Sequence, residues 1–270
     1  MKIDVFGQTD IGKKRGNNED SYLCLSFQSS QQPKFLIAVA DGMGGHTGGE
    51  IASAIAIETI RKNALSQFDG ARMPEADFPI ILEDCVQKAN HEIFLQASRD
   101  KELTGMGSTL VAALISENKI FVSNVGDSRA YLIRNKTIQQ ITSDHNWKNE
   151  QMQKGDLSEE DIINSPYKDL ITRSLGLHNE TEVDIYEIKS QSKDYLLLSS
   201  DGLHSLLTDK DILKIFKKIK DEKKICHKLI DAANKRGGHD NITVVLAHLK
   251  AEGKEKKPET DTVKLNFKQT

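Results

Sequence analysis

Phe35-Leu36-Ile37-Ala38-Val39-Ala40-Asp41-Gly42 is a run of six apolar residues that ends abruptly on a carboxylate and a glycine. The pattern returns at Tyr195-Leu196-Leu197-Leu198-Ser199-Ser200-Asp201-Gly202. Short apolar runs bounded by turn residues predict strands buried on both faces. Two more acidic positions stand at strand starts: Glu19-Asp20 before Ser21, and Asp240-Asn241 before Ile242. In antiparallel sheets the end of one strand lies beside the start of its neighbour. Glu19, Asp20, Asp41, Asp201 and Asp240 are therefore expected at one sheet edge. Five carboxylates cannot share a dry cleft unless they are protonated or neutralised by cations. An all-oxygen donor set suits Mg²⁺ or Mn²⁺, and no His/Cys zinc pattern is present. Asp-Gly is also the commonest short hairpin signal. Here neither pair leads into a second strand: one continues to Met43-Gly44-Gly45-His46 and a helical segment, the other to Leu203-His204-Ser205 and another.

Outward from these runs, strands are predicted over 3–9, 21–27, 35–40, 109–116, 120–124, 130–134, 183–188, 195–199 and 242–249. One helix is expected after Thr47-Gly48-Gly49-Glu50. Apolar stripes at helical spacing mark three more: Leu82, Val86, Ala89 and Ile93; Ile212, Ile215, Phe216 and Ile219; Ile225, Leu229, Ala232 and Ala233. Strands in runs and helices in blocks indicate an α+β fold with antiparallel sheets, not alternating βαβ units. Residues 146–176 scatter Trp147, Met152, Ile162, Ile163 and Leu170 among polar positions, which predicts an irregular, partly helical excursion of the functional kind. Residues 251–270 are Lys/Glu/Thr-rich without periodicity, and a flexible tail is expected there.

The 270 residues are 37% hydrophobic and 29% charged, with a formal net charge of -3. That balance argues against nucleic acid or an anionic membrane as partner, while leaving room for a local basic patch. No apolar run approaches the ~18 residues of a membrane span, and the first residues lack a signal-peptide pattern. Cys24, Cys85 and Cys226 are far apart without paired spacing. They are expected as small buried hydrophobes in a reducing compartment, so the reading is a cytoplasmic protein.

An ordered set of short motifs carries a resemblance: Arg15-Gly16-Asn17-Asn18-Glu19-Asp20; Ala40-Asp41-Gly42-Met43-Gly44-Gly45-His46; Met106-Gly107-Ser108-Thr109; and Val125-Gly126-Asp127-Ser128-Arg129. Thr172-Arg173-Ser174-Leu175-Gly176, Ser200-Asp201-Gly202 and Gly237-Gly238-His239-Asp240-Asn241 continue it. Each is weak alone; together and in this order they resemble the metal-dependent Ser/Thr protein phosphatases of type 2C (PPM), bacterial branch. The resemblance spans roughly residues 4–249. It implies a four-layer αββα sandwich of two antiparallel sheets flanked by helices, with a phosphatase domain over 1–250, a flap-like excursion at about 146–176 and a tail at 251–270.

The same resemblance implies a centre of two Mg²⁺ or Mn²⁺ ions. Asp41 matches the residue that bridges them, the Gly42 carbonyl binds one, and Asp201 and Asp240 bind the other. Glu19 and Asp20 match outer-sphere acids acting through water, Asp127 matches the acid of a third, weaker site, and Arg15 matches the phosphate-binding arginine. The implied reaction is hydrolysis of phosphoserine and phosphothreonine by a metal-bridging hydroxide, on phosphorylated proteins that include a Ser/Thr kinase and its targets, by a monomer. Met43 stands where many eukaryotic relatives carry a histidine proposed as general acid, and a thioether cannot donate a proton. His46 is the candidate substitute, the alternatives being that it serves only the helix start and that water on a metal supplies the proton, the route favoured here. His145 and His239 are expected to serve loop hydrogen bonding. The alternative function is a non-catalytic phosphoprotein-binding or sensor domain on the same fold, which would require loss of the acids.

Overall fold

The computed structural model describes residues 1–27, 35–44, 47–68 and 74–251. The strands are β1 (Lys2–Asp10), β2 (Asp20–Ser26), β3 (Phe35–Met43), β4 (Gly107–Ser108), β5 (Leu110–Ile115), β6 (Lys119–Val125), β7 (Arg129–Arg134), β8 (Thr137–Gln140), β9 (Asp184–Lys189), β10 (Tyr195–Ser199) and β11 (Ile242–Lys250). The α-helices are α1 (Gly48–Phe68), α2 (Phe78–Arg99), α3 (Trp147–Lys154), α4 (Glu159–Asn164), α5 (Asp201–His204), α6 (Asp209–Lys218) and α7 (Glu222–Lys235). One sheet runs β1-β11-β10-β7-β8 and the other β2-β3-β5-β6-β9, with β4 paired to β3. Every pairing is antiparallel.

The long apolar runs are explained by which face each residue takes. Along β3, Ile37 and Val39 meet the opposing sheet together with Val111, Ala113, Leu196, Leu198, Val245 and Ala247. Leu36, Ala38 and Ala40 turn the other way and pack under α1 and α2, against Ala52, Ala56, Ile60 and Val86. On the second sheet Leu197, Val244 and Leu246 face α6 and α7, meeting Phe216, Ile225 and Leu229. Both faces of the central strands are thus buried, one by a sheet and one by helices, so the usual in-out alternation disappears. The result is the expected αββα sandwich. Helix α6 opens with a capping box in which Thr208 and Asp211 each bond the other's backbone.

Residues 146–176 carry α3 and α4, as the partly helical reading expected, and return to the sandwich where Ser108 bridges Leu175. Among the described residues no helix is long and apolar enough to cross a membrane. Cys85 and Cys226 are buried, and desolvation pushes both thiols up to about 12. Cys24 departs from its expected place: it is exposed, on the edge strand β2. The expected tail lies outside the described residues from position 252 onward.

Candidate metal centre

Register brings the acids together. Asp20 opens β2 directly opposite Asp41 on β3. Asp201 follows the end of β10, and Asp240 precedes the start of β11, its antiparallel neighbour. The glycines let the backbones close in. A Cβ at Gly42 would lie 1.9 Å from the Gly49 carbonyl oxygen, and one at Gly202 would lie 2.0 Å from that of Asn241. Only glycine permits either approach, so each Asp-Gly pair here is an element of tertiary packing and not a hairpin turn.

A cleft of about 350 Å³ opens at this edge, lined by Arg15, Glu19, Asp41, Gly42, Met43, Gly44, Asp127, Ile171, Asp201 and Asp240. Asp20 lies beneath it, buried, and accepts a hydrogen bond from Ser200 Oγ at 2.7 Å. Ser200 Oγ in turn accepts from the Thr243 N–H at 3.0 Å. Asp41 is braced through its backbone: its N–H donates to Thr109 Oγ1 at 3.1 Å, and its carbonyl accepts from Thr109 N at 2.8 Å. Thr109 Oγ1 is also 2.7 Å from Ser128 Oγ, tying the loop that carries Asp127 to the same frame. Arg15 Nη2 donates to Asp240 Oδ2 at 2.7 Å, and Nη1 lies 3.8 Å from Glu19 Oε2.

The electrostatics are those of a cation site. Desolvation, reinforced by neighbouring carboxylates, pushes Asp41 well above the usual carboxylate range and raises Asp20 to about 7. The same two causes raise Asp127 to about 7 and Asp201 to about 6. Asp20 Oδ1 and Asp201 Oδ1 are buried without any hydrogen-bond partner. A buried carboxylate oxygen with no donor is costly unless something positive faces it. Arg15 is, among the described residues, the one cationic side chain lining the cleft. Among the described residues no group of three or more His, Cys, Asp and Glu side chains forms a ready-made metal cage. Asp240 is engaged by Arg15 and Asp20 by Ser200, each at 2.7 Å. A wider groove of about 660 Å³ between α2 and residues 179–182 lacks such convergence. Glu182 there is paired with Arg173 at 2.8 Å.

All of the sequence-predicted acids and Arg15 therefore meet at one edge, with Glu19 at the cleft and Asp20 below it. His46 lies outside the described residues. His145 serves its loop as expected: Gly126 N donates to its Nδ1 at 3.0 Å, and its Nε2 lies 3.2 Å from Asp184 Oδ2. Desolvation and the Arg173 guanidinium lower its pKa. His239 departs from expectation: it is exposed and forms no hydrogen bond among the described residues, its ring lying over Gly237. Sequence reasoning missed Asn241. Its Nδ2 donates to the carbonyls of Ile11 and Asn17 at 3.0 and 2.9 Å, and its Oδ1 accepts from Glu19 N at 2.8 Å. It pins the whole Arg15 loop to β11. Its place directly after Asp240 was the available signal.

A four-layer αββα sandwich with a carboxylate-lined edge defines a class of metal-dependent phosphoester hydrolase, and the comparisons agree. The protein phosphatase 2C family pattern matches residues 12–246. The serine/threonine phosphatase stp of Listeria monocytogenes is 36% identical over 239 residues, covering 88% of this chain and 93% of that protein. Protein phosphatase PhpP of Streptococcus pneumoniae is 35% identical over 256 residues, covering 94% and 100%. The catalytic domain of the serine/threonine protein phosphatase PstP, solved in complex with two manganese ions, superposes with a TM-score of 0.77 at 34% identity, covering 92% and 99%. The chain belongs to the protein phosphatase 2C family, in its bacterial PPM-type branch. Its activity is that of a metal-dependent serine/threonine protein phosphatase. The alternative of a non-catalytic sensor domain finds no support.

Proposed function

We propose that the acidic edge holds two divalent cations, Mn²⁺ or Mg²⁺. In this reading Asp41, the Gly42 carbonyl, Asp201 and Asp240 would hold them directly, and Glu19 and Asp20 would act through water. Asp127 offers a third, weaker position. The observation that carries the reading is the pair of buried, unpartnered oxygens on Asp20 and Asp201 among carboxyls displaced upward by their own crowding. The manganese-bound relative supports the ion type and number. Cations held there would offset phosphoryl charge and lower the pKa of a water molecule.

The protein's own groups do the rest. Arg15, half exposed at the mouth, is placed to exchange Asp240 for the equatorial oxygens of a phosphoryl group, which a guanidinium grips bidentately. Ser200, Thr109 and Asn241 fix the acids so that little reorganisation is needed on binding. Met43 lines the cleft and has no proton to give, so the leaving oxygen would be protonated by water on a bound cation, the route favoured here, or by His46. The substrates we infer are phosphoserine and phosphothreonine proteins, a Ser/Thr kinase and its targets among them. The phosphatase unit is proposed to span 1–250 with 146–176 as its flap and 251–270 as a tail, acting as a cytoplasmic monomer. The test is hydrolysis of p-nitrophenyl phosphate and a phosphothreonine peptide in excess EDTA. Activity should vanish and return with Mn²⁺ or Mg²⁺; full turnover in chelator would refute the cation reading.

A further inference from the structure

A second recess of about 600 Å³ lies at the opposite end of β10 and β11, where Tyr195 pairs with both His248 and Ile133. Its floor is apolar: Ile133, Tyr195, Leu213 and Phe216. Tyr195 is stacked on His248 with ring centroids 3.9 Å apart and meets Phe216 edge-on at 5.3 Å. Its rim is Lys136, Lys193, Lys217 and Lys220, and among the described residues no carboxylate lines it. The nearby acids are already engaged. Asp194 is gripped by Arg134 at 2.8 and 2.6 Å, and Glu222 lies 2.8 Å from Lys250 Nζ and 2.5 Å from His248 Nδ1. None of the four lysines forms an ion pair among the described residues.

The backbone supplies an independent observation. Among the described residues three non-glycine residues have positive φ: Asn135 at 51°, Lys136 at 64° and Lys193 at 76°. All three line this recess. Asn135 and Lys136 form the two-residue turn between Arg134 and Thr137, whose second position glycine fits best. Lysine in the left-handed region carries strain that glycine would relieve, and such strain gathers at binding sites. Two rim lysines are thus held at a conformational cost. The surroundings reinforce their charge. From Asp209 to Arg236 the chain has nine lysines and one arginine against five acids, although its net charge is -3.

The geometry points to a binding site for a small amphipathic anion, one with an apolar body and a carboxylate, phosphate or sulfonate head. The volume is that of a typical small-ligand pocket. The body would displace water from the Tyr195–Phe216 floor, and the lysine ammoniums would meet the head as point charges, tolerant of its shape. The chain's own end does not complement the rim, since residues 252–270 carry five lysines against four acids. The site stands apart from the acidic edge and does not rest on the phosphatase reading.

The probe is 8-anilinonaphthalene-1-sulfonate, an aromatic body with an anionic head, titrated into the full chain with fluorescence and melting temperature read together. One site per chain is expected. The double variant Lys136→Gly, Lys193→Gly should bind about tenfold more weakly while its melting temperature stays level or rises. Lys217→Glu should weaken binding again, and turnover of p-nitrophenyl phosphate should not change in any of these variants. Unchanged affinity in the double variant would overturn the proposal. So would inorganic sulfate competing at equal concentration, which would mean a charged patch without use of the floor. Binding seen only after removal of residues 252–270 would also overturn it, by showing the recess filled by this chain's own end.

Discussion

Strands β10 and β11 have two ends with opposite electrostatic characters. At the Asp201 and Asp240 end, like charges crowd a cleft and buried oxygens go without donors. At the Tyr195 and His248 end, about 20 Å away along the strand, the buried acid is fully paired. Asp194 is 1% exposed, takes two bonds from Arg134 and accepts from Gln191 N at 2.8 Å. The shared strands are rigid and apolar, so both ends inherit the same precision of placement. What differs is whether the buried carboxylates are satisfied within the protein. Where it is, the group serves stability; where it is not, the protein keeps a place for something positive that it does not itself supply.

Substitutions that neutralise one end or the other should separate these two roles. Asp41→Asn, Asp201→Asn and Asp240→Asn should each lower the rate by at least ~10²-fold. In chelator the melting temperatures of Asp41→Asn and Asp201→Asn should not fall, because each removes a member of a repelling cluster, while Asp240→Asn also gives up its Arg15 pair and should fall slightly. A large loss of stability in all three would move these acids to the structural side of the comparison. Arg15→Ala should lower kcat/KM on a phosphopeptide by about 10- to 10²-fold, and Arg15→Lys should recover only part of it, since an ammonium lacks the fork. Unchanged kinetics would make Arg15 merely a partner for Asp240.

At the other end the expected pattern reverses. Asp194→Asn leaves the Arg134 guanidinium without its bidentate carboxylate and should cost about 2–3 kcal/mol, a fall of roughly 5–10 °C in melting temperature. Turnover measured well below that temperature should be unaffected. A smaller effect is expected from pH. Asp20, Asp127 and Asp201 have folded pKa values raised from 3.8 to about 6–7, so the stability they contribute when protonated is full below 3.8 and is lost as pH rises from there through 6–7. Cations bind the ionised forms. The rise in melting temperature on adding Mn²⁺ should therefore be larger at pH 8 than at pH 5. An equal rise at both values would contradict it.

Much of this was legible in the sequence because strand ends are legible. An apolar run that stops on Asp-Gly fixes where Asp41 and Asp201 lie along their strands, and antiparallel pairing does the rest. What could not be read depends on contacts remote in sequence. Strand β3 continues through Asp41 to Met43 because Gly42 and Met43 pair with Ser108 and Gly107 of β4, and no local pattern announces that. Strand β8 has four residues, two of them exposed, too few for a periodicity. The fully buried site of Asp20 as against the cleft-lining place of Glu19 depends on Ser200, 180 residues away. Arg15 and Asp240 are 225 positions apart. The role of Asn241 was hidden in plain view, because an amide beside a motif acid gives no sign of which carbonyls it will reach.

The central claim is that the unsatisfied end holds divalent cations through Asp41. Direct measurement of Mn²⁺ bound per chain, by equilibrium titration followed in the Mn²⁺ paramagnetic resonance signal, tests it without any substrate. The account predicts at least two ions bound tightly by the wild-type chain, and a loss of tight binding in Asp41→Asn while the fold is kept. Identical Mn²⁺ stoichiometry and affinity in the two proteins would contradict it.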